Sequence, residues 1–265
     1  QCIIDGGLVK RMQPAFAAKA AVLSTILAEK GITGAKNVFE GNQGFFPLYY
    51  GGKYERKRLV KGLGNTFEGG NLSVKMYPCC RLTHAAIDAA IEIVRRENVR
   101  LDDIVEVIVH VNPDVYVLVG KPFQIRESPQ VDAQFSIPYT VAVAITRGMV
   151  SIGDFFEEKI KEDTQILELA RKVKVVADQK SAHRSPVPCV MEVRTKNNKV
   201  YSTRVDVVSG SPGKPASMED VVNKFKDCVV YSAKPMSEKN IQEIISKVKN
   251  LEAVSDIAEV VKLLA

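Results

Sequence analysis

The stretch Ile104-Val105-Glu106-Val107-Ile108-Val109-His110-Val111 decides the fold class. Its residues alternate at period two, the pattern of a strand with one face toward a core. Upstream, residues 84–96 place Ile87, Ala90, Ile91 and Val94 on one helical face. Downstream, the spacing predicts a helix over residues 133–147 ended by Gly148, then short helices near 152–160 and 164–172. Residues 173–177, 189–195 and 200–208 read as further strands. The last two are joined through Asn197-Asn198, residues that tolerate left-handed turns. Residues 72–210 therefore form an α+β block.

The flanks read differently. Residues 14–30 carry Ala17, Ala18, Ala21, Val22, Ile26 and Leu27 at helical spacing, with Pro14 suited to the first turn and Gly31 to the stop. Residues 31–73 are rich in glycine and aromatics, with weak periodicity, and predict loops and short helices. Ser209-Gly210-Ser211-Pro212-Gly213-Lys214-Pro215 reads as a linker. Ser217, with Asp220, and Ser237 are suited to cap two later helices. Two helical ends around one insertion predict a helical domain made of residues 1–71 and 211–265, with the α+β domain of residues 72–210 inserted. No internal repeat or low-complexity segment is apparent.

The 265 residues suffice for one large domain or two modest ones. No run approaches 18 apolar residues, so no membrane-spanning helix is expected. The opening Gln1-Cys2-Ile3-Ile4-Asp5-Gly6-Gly7 does not read as a signal peptide and lacks an initiator Met, which suggests a trimmed chain or one with its upstream part missing. The net charge of +6 favours anions. The basic residues are spread along the chain without arginine-rich blocks, so a small polyanionic substrate fits better than nucleic acid. The five cysteines, Cys2, Cys79, Cys80, Cys189 and Cys228, show no disulfide framework, and a reducing cytoplasm is the default. There is no C-x-x-C, and no metal site is expected.

Four blocks carry a resemblance. Lys10-Arg11-Met12-Gln13-Pro14 with Ala17-Ala18 and Gly31-Ile32-Thr33-Gly34 is the first. Lys75-Met76-Tyr77-Pro78-Cys79-Cys80 with Thr83-His84 is the second, and Gln134-Phe135-Ser136-Ile137-Pro138-Tyr139 the third. Gly210-Ser211-Pro212 through Lys224-Phe225 is the fourth. In this order they resemble the MmgE/PrpD family, which includes 2-methylcitrate dehydratases and cis-aconitate decarboxylases. The match is to the C-terminal portion, and the family's N-terminal half is expected to be missing. The resemblance implies a helical domain plus an α+β domain with the active site between them. It also implies cofactor-independent elimination from, or decarboxylation of, a small tricarboxylate. Two departures stand out: Gln13 replaces a histidine common in the family, and Ala15 a glycine.

Such chemistry needs a base, an acid and cations that hold carboxylates and stabilise enolate charge. Lys10 and Lys75 are candidates for the cationic role, against a bland reading as solvated loop lysines. Arg11 and Arg81 are candidates for substrate binding, because a guanidinium grips a carboxylate through two bonds. His84 is the acid–base candidate, against a core histidine at a helix start. Cys80 stands where the resemblance places a catalytic histidine in decarboxylases, so it leans the chain toward dehydration; a buried thiol is the alternative. Tyr139 can donate through its phenol or serve as a core aromatic. His110 reads as structural, and His183 lies in a polar loop.

The expectation is a lyase (dehydratase) acting on 2-methylcitrate or a related polycarboxylate. It would need no cofactor, occupy the cytoplasm and form a homodimer or associate with a missing N-terminal half. Alternatives are an isomerase, epimerase or decarboxylase on the same scaffold, or a truncated, non-catalytic polycarboxylate-binding protein.

Overall fold

The computed structural model describes residues 7–179 and 188–264. His183 and Cys2 lie outside them. The chain divides into two compact units, Gly7–Leu72 and Ser73–Ala265.

In the first unit a 3-10 turn, Leu8–Met12, holds Lys10 and Arg11 and runs into helix α1, Gln13–Glu29. Pro14 occupies the first turn of α1, where its missing N–H costs no hydrogen bond. The main chain after Glu29 turns through Gly31 at φ +89°, which glycine adopts without strain. No residue of α1 is buried, and its apolar side chains lie all round the helix instead of along one stripe. Short helices α2, Phe45–Tyr50, and α3, Arg56–Val60, follow. They are organised by aromatic contacts, with Phe46 stacked on Tyr54 at 4.0 Å. Tyr54 donates to Glu40 at 2.7 Å, and Arg56 pairs with the same carboxylate.

The second unit is an α+β fold, as the alternation at residues 104–111 predicts. Helix α4, His84–Glu97, precedes strand β1, Ile104–Val111. Helices α5 (Pro113–Val119), α6 (Pro129–Gln134), α7 (Ile137–Arg147), α8 (Glu157–Glu162) and α9 (Thr164–Lys172) form a long crossover. Strands β2 (Val173–Ala177), β3 (Cys189–Thr195) and β4 (Val200–Val205) complete a four-stranded sheet of order β2-β1-β3-β4. The β1–β2 pair is parallel, as a helical crossover allows, and the others are antiparallel. Asn198 closes the β3–β4 turn at φ +60°. Helices α10 (Met218–Val230), α11 (Glu238–Lys249) and α12 (Ala258–Leu263) follow.

One face of the sheet makes the core. Ile104, Val107, Val109 and Val111 of β1 and Cys189, Met191 and Val193 of β3 are buried there, against α4, α7 and α9. The even-to-odd change between Ile104 and Val107 follows from a register shift between Ile104 and Glu106, which keeps all four side chains on one side. Ile87 and Ile93 of α4 are fully enclosed. Burial of each contributes about 1.5–3 kcal/mol. The opposite face is mixed, and Glu106 pairs there with Lys174 and Arg194.

Two expectations change. The helix predicted over residues 133–147 is two helices. Ser136 breaks it by capping α7 through a bond from Tyr139 N (3.2 Å), and Pro138 then sits in the first turn, where proline is tolerated. The stretch read as a linker, residues 209–215, is folded onto the α4 end of the unit. Ser209 N donates to Asp88 Oδ2 (2.8 Å), and Val74 N donates to Gly210 O (2.8 Å). The helices after it start as their residues predict. Ser217 and Asp220 form a reciprocal capping box on α10, and Ser237 caps α11. Among the described residues no helix is long and apolar enough to cross a membrane.

Candidate functional site

The site grows from the loop that enters α4. Cys79 is buried and its thiol lies 3.1 Å from Thr83 Oγ1, while Cys80 is half-buried. The neighbours diverge, so one thiol joins the core and the other borders it. Burial pushes the Cys79 thiol up to about 12. Cys80 N donates to Gln134 O at 2.9 Å, and Gln134 Nε2 donates to Pro78 O at 3.0 Å. The break between α6 and α7 makes this contact available, because Gln134 is the last residue of α6 and its carbonyl has no partner within that helix.

His84 opens α4 and is fully enclosed. Tyr77 meets its ring edge-on at 5.1 Å between centroids. Arg81 Nη1 lies 3.3 Å from Nδ1. Nε2 is buried and, among the described residues, has no hydrogen-bond partner. Burial first, then the charges of Arg81 and Lys75, push the imidazole down to about 4, while Asp88 and the Cys79 main chain pull the other way. One turn further along the same helix face, Asp88 accepts from Tyr77 Oη (2.6 Å) and from Ser209 N. Burial, followed by the Asp88 charge, raises the Tyr77 phenol above its ordinary value.

Cations surround this corner. Lys75 Nζ donates to Cys79 O at 3.1 Å, and Lys224 Nζ donates to Lys75 O. Arg81 Nη2 donates to Ser211 Oγ (2.7 Å), and Nη1 reaches Ser209 O (3.4 Å). A cleft of about 670 Å³ adjoins it, bordered by Tyr77, Pro78, Arg95, Gly210, Lys214 and Lys224. That volume is in the range of small-molecule sites.

Lys75, Cys80, Arg81 and His84 thus share one corner. Tyr139 has a different setting: its ring packs on Phe123 and Phe155, and its hydroxyl donates to Asp154 O at 2.6 Å. Burial pushes that phenol up to about 12. Lys10 and Arg11 lie in the first unit. His110 is half-buried on β1, 3.8 Å from Glu192. Among the described residues, no group of three or more His, Cys, Asp and Glu is placed to hold a metal ion.

Sequence reasoning passed over Asp88, Gln134, Ser209, Ser211 and Lys224 as members of this corner. Gln134, Ser211 and Lys224 lie in the third and fourth motif blocks without a role assigned there, and Asp88 carries a local signal, an acid on the buried face of an apolar helix.

The chain belongs to the MmgE/PrpD family: residues 77–250 match the MmgE/PrpD C-terminal domain and residues 6–57 the MmgE/PrpD N-terminal domain. It is similar to the cis-aconitate decarboxylase of Aspergillus terreus (strain NIH 2624 / FGSC A1156), 26% identical over 273 residues, which are 98% of this chain and 55% of that protein. The cis-aconitate decarboxylases of Mus musculus and Homo sapiens are each 26% identical, over 94% of this chain and 50% and 51% of their own lengths. The chain spans about half the length of the curated relatives it matches. Of the sequence blocks that resemble the family, the second, third and fourth meet at the Lys75–His84 corner through Cys80–Gln134, Arg81–Ser211 and Lys75–Lys224.

Proposed function

We propose that this chain supplies the Lys75, Cys80, Arg81 and His84 face of a cofactor-independent lyase acting on a small polycarboxylate. The observation that carries this reading is the meeting of the three family blocks around an enclosed histidine flanked by Lys75 and Arg81. In this reading Lys75 holds a carboxylate and stabilises the enolate that forms as a proton leaves. Lys10 and Arg11 are proposed as further cations; Tyr139, whose hydroxyl is committed to Asp154 O in the core, serves packing. The protein works in the cytoplasm, as a homodimer or in association with N-terminal-domain sequence beyond the part matched at residues 6–57.

The reaction proposed first is dehydration of 2-methylcitrate or a close relative. Cys80 supports it, standing where the resemblance places a decarboxylase's histidine. Decarboxylation of cis-aconitate is the second reading, favoured by the similarity to cis-aconitate decarboxylases. The test supplies 2-methylcitrate, citrate and cis-aconitate separately, following enoate absorbance and carbon dioxide release. Enoate formation from a hydroxy-tricarboxylate is expected. Carbon dioxide release alone selects the second reading. No turnover of any of the three, with a cognate N-terminal half added, refutes both.

A further inference from the structure

We infer that Arg81 is a positioning residue: it holds His84 as the neutral imidazole carrying its proton on Nε2, so that the ring acts in the site as a hydrogen-bond donor.

A guanidinium has donors only. With Arg81 Nη1 at 3.3 Å from His84 Nδ1, that nitrogen must present its lone pair, and the proton belongs to Nε2. Arg81 is itself held from the other side. Ser211 Oγ donates to Val208 O at 2.6 Å, which commits its hydrogen and turns its lone pairs to Arg81 Nη2 at 2.7 Å. Arg81 Nη1 also reaches Ser209 O. The guanidinium is thus fixed between the 208–214 turn and the first turn of α4.

The surroundings favour the same state. Lys75 and Arg81 bring positive charge, and Tyr77 closes one side of the ring. Cys79 is buried with its thiol on Thr83. Asp88, among the described residues the carboxylate that influences the ring, accepts from Tyr77 and Ser209. A second cation at His84 would face the guanidinium directly. Nε2 makes no hydrogen bond of good geometry among the described residues, although the Cys79 main chain draws on the ring and favours its proton. A carboxylate oxygen is an acceptor suited to the Nε2–H, and this last clause rests on the polycarboxylate reading above.

The test is nitrogen NMR of the histidine rings in the full chain, with the His84 signals assigned by their loss in His84→Gln. In the wild type, Nδ1 should appear unprotonated and Nε2 protonated from about pH 8 to about pH 5.5, the interval where an ordinary histidine gains charge. The ratio of Nε2–H to Nδ1–H forms should fall roughly tenfold or more in Arg81→Ala, and by less in Ser211→Ala, which releases the guanidinium without removing it. A wild-type Nδ1–H form, an imidazolium near neutral pH, or an unchanged ratio in Ser211→Ala and Arg81→Ala overturns the inference. Should Arg81→Ala fail to fold, the wild type and Ser211→Ala decide. Adding citrate separates this inference from the lyase reading. A shift of the Nε2–H signal supports the carboxylate as acceptor. No shift, with the ring state as stated, removes that acceptor and leaves the positioning role.

Discussion

Replacing Gly210 with alanine would place a β-carbon 2.1 Å from the Val74 carbonyl oxygen, in a backbone held at φ +82°. An L-residue in that left-handed region costs about 1–2 kcal/mol. The clash is with main chain, so the 74–76 loop must move, and the Val74–Gly210 bond at 2.8 Å is lost with it. That bond is worth about 0.5–1.5 kcal/mol. The total is about 1.5–3.5 kcal/mol, roughly a 5–10 °C fall in Tm for a unit of this size. Urea unfolding followed by circular dichroism measures it, with Gly213→Ala as the internal control. The control β-carbon meets only Val207 Cγ1, at 3.2 Å, and its backbone is not left-handed. Its expected cost is within about 1 kcal/mol. If Gly210→Ala unfolds with the control, the turn does not clamp the Lys75 loop and the reasoning fails.

Other outcomes follow from the same contacts. His84 is held near 4 in the folded chain against an ordinary 6.5, so the unfolded chain binds the extra proton first and stability falls as pH drops from about 6.5 toward about 4. The loss is on the order of 3 kcal/mol, and acid unfolding of His84→Gln beside the wild type should show a flatter profile over that window. Tyr139→Phe strands the Asp154 carbonyl and should cost about 1–2 kcal/mol in thermal unfolding. If turnover falls far beyond that structural loss, the phenol also serves the chemistry. Iodoacetamide on the native chain should label exposed Cys228 and spare Cys79 and Cys189, whose buried thiols are both pushed up to about 12. Peptide mass analysis reads the pattern, and early labelling of Cys189 would contradict its placement in the core.

The sheet was legible because a half-buried sheet forces alternation on its strands. Residues 104–111, 173–177 and 189–195 carry that pattern, and β1, β2 and β3 occupy those limits. The gap between α6 and α7 was hidden by continuous helical periodicity, although Ser136 and Pro138 mark it chemically. The corner was half legible. Lys75, Cys80, Arg81 and His84 sit in one short stretch, so a motif could collect them. Their partners could not be found that way, because Arg81 and Ser211 are separated by 130 positions and Lys75 and Lys224 by 149. No periodicity encodes a contact between a turn and a distant loop. The apparent linker shows the same limit, since glycine, serine and proline describe the bend at residues 209–215 and say nothing of what it packs against.

Those long separations also set an order of events during synthesis. A nascent chain that has exposed only residues up to about 200 can pair β1 with β2 and β3, yet it lacks the hydroxyl that anchors Arg81 and the amine that meets the Lys75 carbonyl. Closing loops of this length carries an entropic cost that local contacts avoid, so the corner is among the late parts to assemble. Until Ser211 and Lys224 have emerged, the corner lacks the contacts that hold Arg81 beside His84. The ribosome must therefore release most of this chain before the corner can exist.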